Sequence, residues 1–119
     1  MWHDGRVLIV KSSYRRHYGL PGGFLERGET AADAASREVC EELQVQIPSA
    51  ALKLAWRGST VFEHRHDTTT VWEISLDAPP AIRVDGGEIV SAEWKTPAEA
   101  RSLLLSPSVA SYLALRDRG

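Results

Sequence analysis

The chain has 119 residues, of which 43% are hydrophobic and 25% are charged, and its formal net charge is −2. This composition is typical of a folded globular protein, and the length suits one small domain covering residues 1–119. The slight negative charge argues against a general nucleic-acid binder, which is usually basic, and no apolar run is long enough to cross a membrane. We therefore predict neither a nucleic-acid polymer nor a membrane among its partners.

The first residues predict a turn followed by a strand. Asp4-Gly5 is a dipeptide typical of hairpin turns. The apolar, β-branched run 7–11 that follows predicts a strand. The start of the chain is polar and lacks the features of a secretory signal. Cys40 is the single cysteine, which excludes an internal disulfide and fits a reducing compartment. We therefore predict a cytoplasmic protein.

A polar loop comes next, at 12–18, and carries two candidate contacts for an anionic ligand. Arg15 and Arg16 lie together in it, and a flexible basic loop can reach a bound anion, although a simply solvated loop is equally compatible with the sequence. Tyr18, and later Phe62, are candidates for stacking on a base, with burial in the core as the alternative.

Residues 30–43 predict a helix with an unusual acidic face. Thr30 begins it with a side chain suited to capping the first turn. Glu38, Glu41 and Glu42 then stand at i, i+3 and i+4, so their carboxylates share one face, where like charges repel one another. The economical explanation is a divalent cation with oxygen ligands, held beside a substrate that carries phosphate.

The remaining elements complete an α+β pattern. We predict two strands at 52–59 and 69–76 around a polar connection at 60–68, a short strand at 82–84, and another at 91–95. Thr96-Pro97-Ala98-Glu99 is a capping box with proline at the first helical position, so a helix should run to about 105, with a last helix from 106 towards 115. This order predicts a mixed sheet sandwiched between one central helix and the C-terminal helices.

The segment from Gly23 to Val45 resembles the Nudix box, whose pattern is G-x5-E-x7-R-E-U-x-E-E-x-G-U, where U is a bulky apolar residue. Gln44 departs from the pattern, because the family has glycine there. A non-glycine residue in a left-handed helix cap costs about 1–2 kcal/mol, so we expect a slightly different helix exit. The matching residues are Gly23, Glu29, Arg37, Glu38, Val39, Glu41, Glu42 and Val45.

The resemblance implies a Nudix-like α/β/α sandwich and a metal-dependent hydrolase that cleaves a nucleoside diphosphate linked to another group. Glu38, Glu41 and Glu42 match the glutamates that bind metal and activate the base, and which of them is the base stays open. The carbonyl of Gly22, in the glycine pair before the box, matches a backbone metal ligand. Two adjacent glycines also let the backbone approach a ligand closely.

Two further matches extend the implied site. Arg37 and Glu29 match a pair that ties the helix to the preceding loop, and we count both with the catalytic set. Glu88 lies six residues before Trp94 and matches a later metal-binding glutamate found in some members. Glu93 lies nearby and is an alternative to Glu88.

The implied cofactor is Mg²⁺, with Mn²⁺ able to substitute, and the implied substrate is a small nucleotide-type diphosphate of unknown identity. A non-catalytic module that senses nucleotides or binds protein on the same fold is the alternative, because fold alone does not secure activity. Family members usually have a full strand before the first turn, where this chain has only residues 1–3. The strand is therefore either shortened or replaced, for which a partner subunit in a homodimer is one candidate.

Overall fold

The computed structural model describes residues 1–22, 25–62, 64–84 and 86–118, without the side chains at 60, 62, 65–67, 117 and 118. Three helices are found in these ranges: α1 (Ala31–Leu43), α2 (Pro97–Arg101) and α3 (Pro107–Arg118), with a short 3₁₀ turn at Ser49–Ala51. The strands are β1 (Trp2–His3), β2 (Arg6–Ser12), β3 (Tyr18–Gly19), β4 (Lys53–Phe62), β5 (Arg65–Glu73) and β6 (Ile89–Lys95). None of the described helices is long and apolar enough to cross a membrane.

Strand β2 is the centre of a four-stranded sheet. It pairs antiparallel with β1, β3 and β6, and Val7 has both Trp2 and Lys95 as partners, on opposite edges. The strands β4 and β5 form a separate antiparallel hairpin. The segment after β5 joins the two sheets by a parallel bridge between Trp2 and Ser75. The pairing is therefore mixed in direction, as predicted.

One layer of the core lies between the sheet and α1. Leu8 and Val10 of β2 point to this face and pack in one cluster with Val39 and Leu43 of α1 and with Ile89 of β6. Successive strand residues point to opposite faces, so the intervening residues of β2 are available for a second layer. The apolar positions of α1 thus decide how the helix sits on the sheet, and that placement leaves its acidic residues at the edge of the core.

The second layer lies between the opposite face of β2 and the C-terminal helices. Val7 and Ile9 pack there with Ala100 of α2 and with Tyr112 and Leu113 of α3. Helices therefore cover both faces of the sheet, which confirms the predicted α+β sandwich.

The amino-terminal turn has the predicted form. Asp4 and Gly5 both have positive φ, at 50° and 75°, as a two-residue hairpin turn requires. The strand before it is short, and its outer edge is closed within the chain: Trp2 N–H donates to the carbonyl of Ile74 at 2.9 Å, and Leu76 N–H donates to the carbonyl of Trp2 at 2.8 Å. These bonds supply pairing for which the sequence offered a partner subunit as one candidate.

One predicted strand and several predicted boundaries were wrong. The connection predicted at 60–68 belongs largely to the hairpin, since β4 and β5 pair out to Phe62 and Arg65. Antiparallel strands can be rich in polar residues, so polarity did not mark a loop. No strand forms at 82–84, where Arg83 N–H donates instead to the carbonyl of Leu43 at 3.0 Å. Helix α2 ends at Arg101, and α3 runs on to Arg118.

The end of α1 corrects a further expectation. Gln44 takes up the left-handed cap itself, with φ 58° and ψ 36°, and its N–H donates to the carbonyl of Cys40 at 2.9 Å. The helix exit is therefore that of a left-handed cap, and the strain of a non-glycine residue is carried in place.

Candidate functional site

Helix α1, which carries the acidic face, begins at a capping residue. Thr30 is the N-cap, and its hydroxyl accepts a 3.1 Å hydrogen bond from the N–H of Asp33, which confirms the predicted helix start. From this origin, α-helical periodicity places Glu38, Glu41 and Glu42 within one turn of each other. The helical spacing therefore puts the three carboxylates on one face.

Glu42 is the most enclosed of these carboxylates, with only 9% of its surface exposed. Its Oε1 accepts a 3.0 Å hydrogen bond from the backbone N–H of Gly22. Burial is the main cause that raises the pKa of Glu42 to about 7, and the charges of Glu38, Glu88 and Glu41 raise it further, against the opposing effect of the Gly22 bond. The helix thus holds a carboxyl group where negative charge is already in excess.

Arg37 gathers the acidic side chains on the outer side of this face. Its Nε and Nη2 donate to the two carboxylate oxygens of Glu29 at 2.7 and 3.0 Å. Its Nη1 donates to Glu38 Oε1 at 2.8 Å and to Glu41 Oε2 at 3.2 Å, and lies 3.5 Å from Glu26 Oε1. The pairing of Arg37 with Glu29 that the resemblance implies is therefore present.

This pairing ties the helix to the loop before it. Glu29 Oε1 also accepts a 2.8 Å hydrogen bond from the backbone N–H of Glu26. The bonds from Arg37 and from that N–H lower the pKa of Glu29 below its ordinary value. A bidentate fork of this kind restrains orientation more than a single contact does, so the loop entering α1 is held against the helix.

A cleft of about 860 Å³ lies between the β2–β3 edge and β5, with α1 along one side. Several residues predicted for the site line it, whereas Glu29, Glu41 and Arg16 are not among its lining residues. Glu41 is 57% exposed at its side chain and is turned to Arg37. The predicted residues that line the cleft are Arg15, Tyr18, Gly22, Glu38, Glu42 and Glu88.

The basic loop reaches the cleft through one of its two arginines. The Arg15 guanidinium lies 5.5 Å from the centre of the Tyr14 ring, and its backbone carbonyl accepts a hydrogen bond from Lys11 Nζ. Arg16 is exposed. The side chain of Phe62 lies outside the described part of the chain, as does Gly23.

Glu88 and Glu93, the two alternatives for a later metal-binding glutamate, have different surroundings. Glu88 lines the cleft, and its carbonyl accepts a 2.8 Å bond from Ser13 N–H. Glu93 Oε2 instead lies 2.9 Å from Lys95 Nζ. Glu88 is therefore the better placed of the two to join the α1 carboxylates.

Sequence reasoning singled out no site residue in two parts of the cleft wall. Residues 68–72 of β5 and 106–108 at the start of α3 both line it. Within β5, Trp72 Nε1 donates to Thr70 Oγ1 at 3.2 Å, which orients the indole. The threonines of β5 indicate only a strand, so no local signal distinguishes a strand that lines a cleft from one that does not.

The carboxylates of the acidic face have the donor atoms that a hard cation needs, but they are not arranged around a common point. Among the described residues, no group of three or more His, Cys, Asp or Glu side chains is placed to hold a metal ion. Glu38 and Glu41 are hydrogen-bonded to Arg37. The donors are all oxygen atoms, the class that Mg²⁺ prefers. The crowding of carboxylates around buried Glu42 is the local charge that such an ion would neutralise.

Comparison with known proteins extends over most of the chain. The family model described as NUDIX domain matches residues 3–115. A "NAD-capped RNA hydrolase NudC" of Pseudomonas syringae is 31% identical over 96 residues, which is 81% of this chain and 33% of that protein. A "Nudix hydrolase" of Deinococcus radiodurans is 35% identical over 80 residues, 64% of this chain and 43% of that protein. The chain thus spans about a third to two fifths of the length of these relatives.

Solved structures show the same fold. A MutT NUDIX hydrolase of Burkholderia pseudomallei superposes with a TM-score of 0.78 at 22% identity, covering 93% of this chain and 88% of that one. The Caenorhabditis elegans Ap4A hydrolase superposes with a TM-score of 0.77 at 19% identity, covering 95% of this chain and 84% of that one. With the family model matching nearly the whole length, and the acidic helix face and its arginine in place, this chain belongs to the Nudix family.

Proposed function

We propose that this protein is a metal-dependent pyrophosphohydrolase that cleaves a diphosphate linkage in a nucleoside diphosphate derivative or a nucleoside triphosphate, by attack of water on phosphorus. The observation that carries the proposal is the position of Glu38 and Glu42 in the wall of a cleft of about 860 Å³, which is large enough for a nucleotide. Membership of a family of hydrolases supports the reaction class.

The proposed metal ligands are the carboxylates of Glu38, Glu41, Glu42 and Glu88, together with the carbonyl of Gly22. Mg²⁺ is the proposed ion, with Mn²⁺ as a substitute. When bound there, it would neutralise charge on the diphosphate and lower the pKa of water. The chain's own carboxylates supply the general base, and Glu38, Glu41 and Glu42 all stay candidates for it.

The other proposed roles follow from the contacts of each side chain. Arg37 and Glu29 hold the loop and the acidic helix face together through their bidentate pair. Arg15 is the better placed of the two loop arginines to meet a phosphate, because it lines the cleft. Tyr18, also in the cleft wall, is proposed to contact the base. Arg16 and Phe62 stay predictions as substrate contacts.

The names of relatives guide the choice of substrates to test. They include a NAD-capped RNA hydrolase, an ADP-ribose pyrophosphatase of Methanocaldococcus jannaschii that is 40% identical over 42 residues, and an Ap4A hydrolase. The compounds in these names, which are NAD-capped RNA, ADP-ribose and Ap4A, each contain a phosphate anhydride bond. We propose a small nucleotide-type diphosphate as the substrate of this chain, and a capped RNA end belongs in the panel as the contrary case.

The test is a product-release screen over such a panel with Mg²⁺ or Mn²⁺. Glu41→Gln and Glu42→Gln should each lower the rate at least roughly a hundredfold, as expected for a lost metal ligand or base. Glu93→Gln is the matched control, because Glu93 pairs with Lys95. Nucleotide binding without turnover by the parent would favour the non-catalytic alternative. If both test variants turned over substrate as fast as the parent, the mechanism would be refuted.

The remaining expectations concern the setting of the protein. We propose that it acts in the cytoplasm as a single domain over residues 1–119, with a homodimer as the alternative to a monomer. The single cysteine supports a reducing compartment. Light scattering of the purified protein distinguishes the two assembly states, and a fluorescent fusion tests the location.

A further inference from the structure

Different nitrogen atoms of the Arg37 guanidinium contact Glu29 and the carboxylates of α1. Nε and Nη2 hold Glu29 at 2.7 and 3.0 Å, whereas Nη1 bridges Glu38 at 2.8 Å and Glu41 at 3.2 Å. Two of the three helix carboxylates proposed to bind metal are thus already bound by a side-chain cation. The third, Glu42, is bound by a backbone amide instead.

We propose that Arg37 is an internal counter-ion that exchanges with the metal. Its Nη1 neutralises Glu38 and Glu41 in the metal-free protein, and a divalent cation loads by displacing Nη1 from both carboxylates. The fork to Glu29 keeps the guanidinium in place while this happens. The inference rests on the proposed function, because it concerns the loading of the same carboxylates.

Exchange requires that Arg37 hold Glu29 more strongly than it holds the carboxylates it releases, and the contacts differ in this sense. The bond pair to Glu29 is bidentate, and parallel charge-assisted bonds of this kind are strong and geometrically specific. Glu41 makes one 3.2 Å bond, and its side chain is 57% exposed, so water can replace Arg37 there at little loss. Glu41 is therefore the carboxylate that leaves first, followed by the more enclosed Glu38.

The counter-ion also explains how the metal-free helix tolerates its acidic face. Carboxylates three and four residues apart repel one another and destabilise a helix. Arg37 reduces that repulsion at Glu38 and Glu41, to which its Nη1 donates, and a guanidinium stays protonated in proteins. Glu42 accepts a hydrogen bond from the backbone N–H of Gly22 instead.

Exchange makes a prediction of definite sign for metal affinity. The guanidinium stays close to the bound dication, which it repels, and its bonds to two carboxylates must be broken on loading. Removing the positive charge should therefore tighten metal binding. If Arg37 served only to hold the carboxylates in a metal-binding arrangement, its removal would weaken binding. The two roles are thus separated by the direction of the change.

The experiment measures Mn²⁺ binding without substrate, by electron paramagnetic resonance or calorimetry. Arg37→Met, which keeps the length and loses the charge, should bind Mn²⁺ roughly tenfold more tightly than the parent, while its metal-free form unfolds at a lower urea concentration. Arg37→Lys keeps a positive charge and should bind close to the parent. An Arg37→Met variant with parental circular dichroism and equal or weaker Mn²⁺ binding would overturn the exchange.

A second measurement uses the unaltered protein. In nitrogen-15 NMR, titration with Mg²⁺ should change the Nη resonances of Arg37, while its Nε–H resonance, held by Glu29, stays in place. Unchanged Nη resonances at saturating Mg²⁺ would contradict the exchange alone. A parent that binds neither ion would end the proposed function as well, so the two failures can be told apart.

Discussion

Trp2 and Tyr112 are joined by a 2.8 Å hydrogen bond from the indole Nε1 to the phenol oxygen, across 110 positions of the sequence. The Tyr112 hydroxyl donates in turn to Glu73, whose Oε2 also accepts a 2.8 Å bond from Arg116 Nε. The Arg116 guanidinium lies 4.5 Å from the centre of the Trp2 ring. This network links the two-residue strand β1 to β5 and α3 through side chains, in addition to the backbone bonds of Trp2.

Tyr112→Phe should lower the free energy of unfolding by about 1–3 kcal/mol, because the buried indole N–H of Trp2 loses its acceptor. Urea unfolding followed by tryptophan fluorescence measures the change. Tyr14→Phe, at an exposed tyrosine, is the control and should be close to neutral. A Tyr112→Phe variant as stable as the parent would show that the network contributes little.

Glu42 should make the metal-free protein less stable as pH rises. Its folded-state pKa is raised from 4.5 to about 7, so between these values the folded state binds more protons than the unfolded chain. The free energy of unfolding then falls with increasing pH across that window, by up to about 3 kcal/mol for the full shift. Urea titrations with a chelator at pH 5, 6, 7 and 8 measure the slope.

Glu42→Gln should flatten this pH dependence, since the amide does not titrate and its oxygen still accepts from the N–H of Gly22. Glu93→Gln removes an exposed carboxylate at the Lys95 pair and should leave the slope between pH 5 and 8 nearly parental. A Glu42→Gln protein with the parental slope would assign the pH dependence to other groups.

Gln44→Gly should stabilise the protein. Gln44 holds a left-handed conformation at φ 58°, which costs a non-glycine residue about 1–2 kcal/mol. Glycine would remove this strain, but its more flexible unfolded chain would offset part of the gain in stability. We expect a net increase of about 1 kcal/mol in the free energy of unfolding, measured by urea titration.

Gln46→Gly is the matched control for this substitution. Gln46 is exposed two residues further on and is not among the residues with positive φ, so glycine there should be neutral or destabilising. Equal effects of the two substitutions would mean that the helix cap is not the source of any gain.

Gly58→Ala should destabilise the β4–β5 hairpin. A Cβ at Gly58 would stand 2.6 Å from two atoms of the Trp56 ring, and Trp56 packs against the cluster on the α3 face. Forcing the indole aside should cost about 1–3 kcal/mol, measured by thermal unfolding. Ser59→Ala, at the exposed neighbour, should have little effect, and an unaffected Gly58→Ala protein would show that the indole moves freely.

Local sequence was sufficient for α1 and its acidic face. The Thr30 cap and the spacing of Glu38, Glu41 and Glu42 act within a few residues, since helical geometry relates neighbours three and four apart whatever the rest of the fold does. The Asp4-Gly5 turn and the capping box at Thr96 were predictable for the same reason, and the box pattern identified Arg37 with its partner.

Tertiary structure alone decided which of these residues meet and how deeply they are buried. Glu42 is enclosed and Glu41 exposed because Val39 and Leu43 pack α1 on the sheet at one particular rotation. The bond between Trp2 and Tyr112 and the cleft wall on β5 depend on contacts between distant segments. Local sequence does not reveal which distant segments meet, because many partners of similar shape would satisfy the same periodicity of apolar residues.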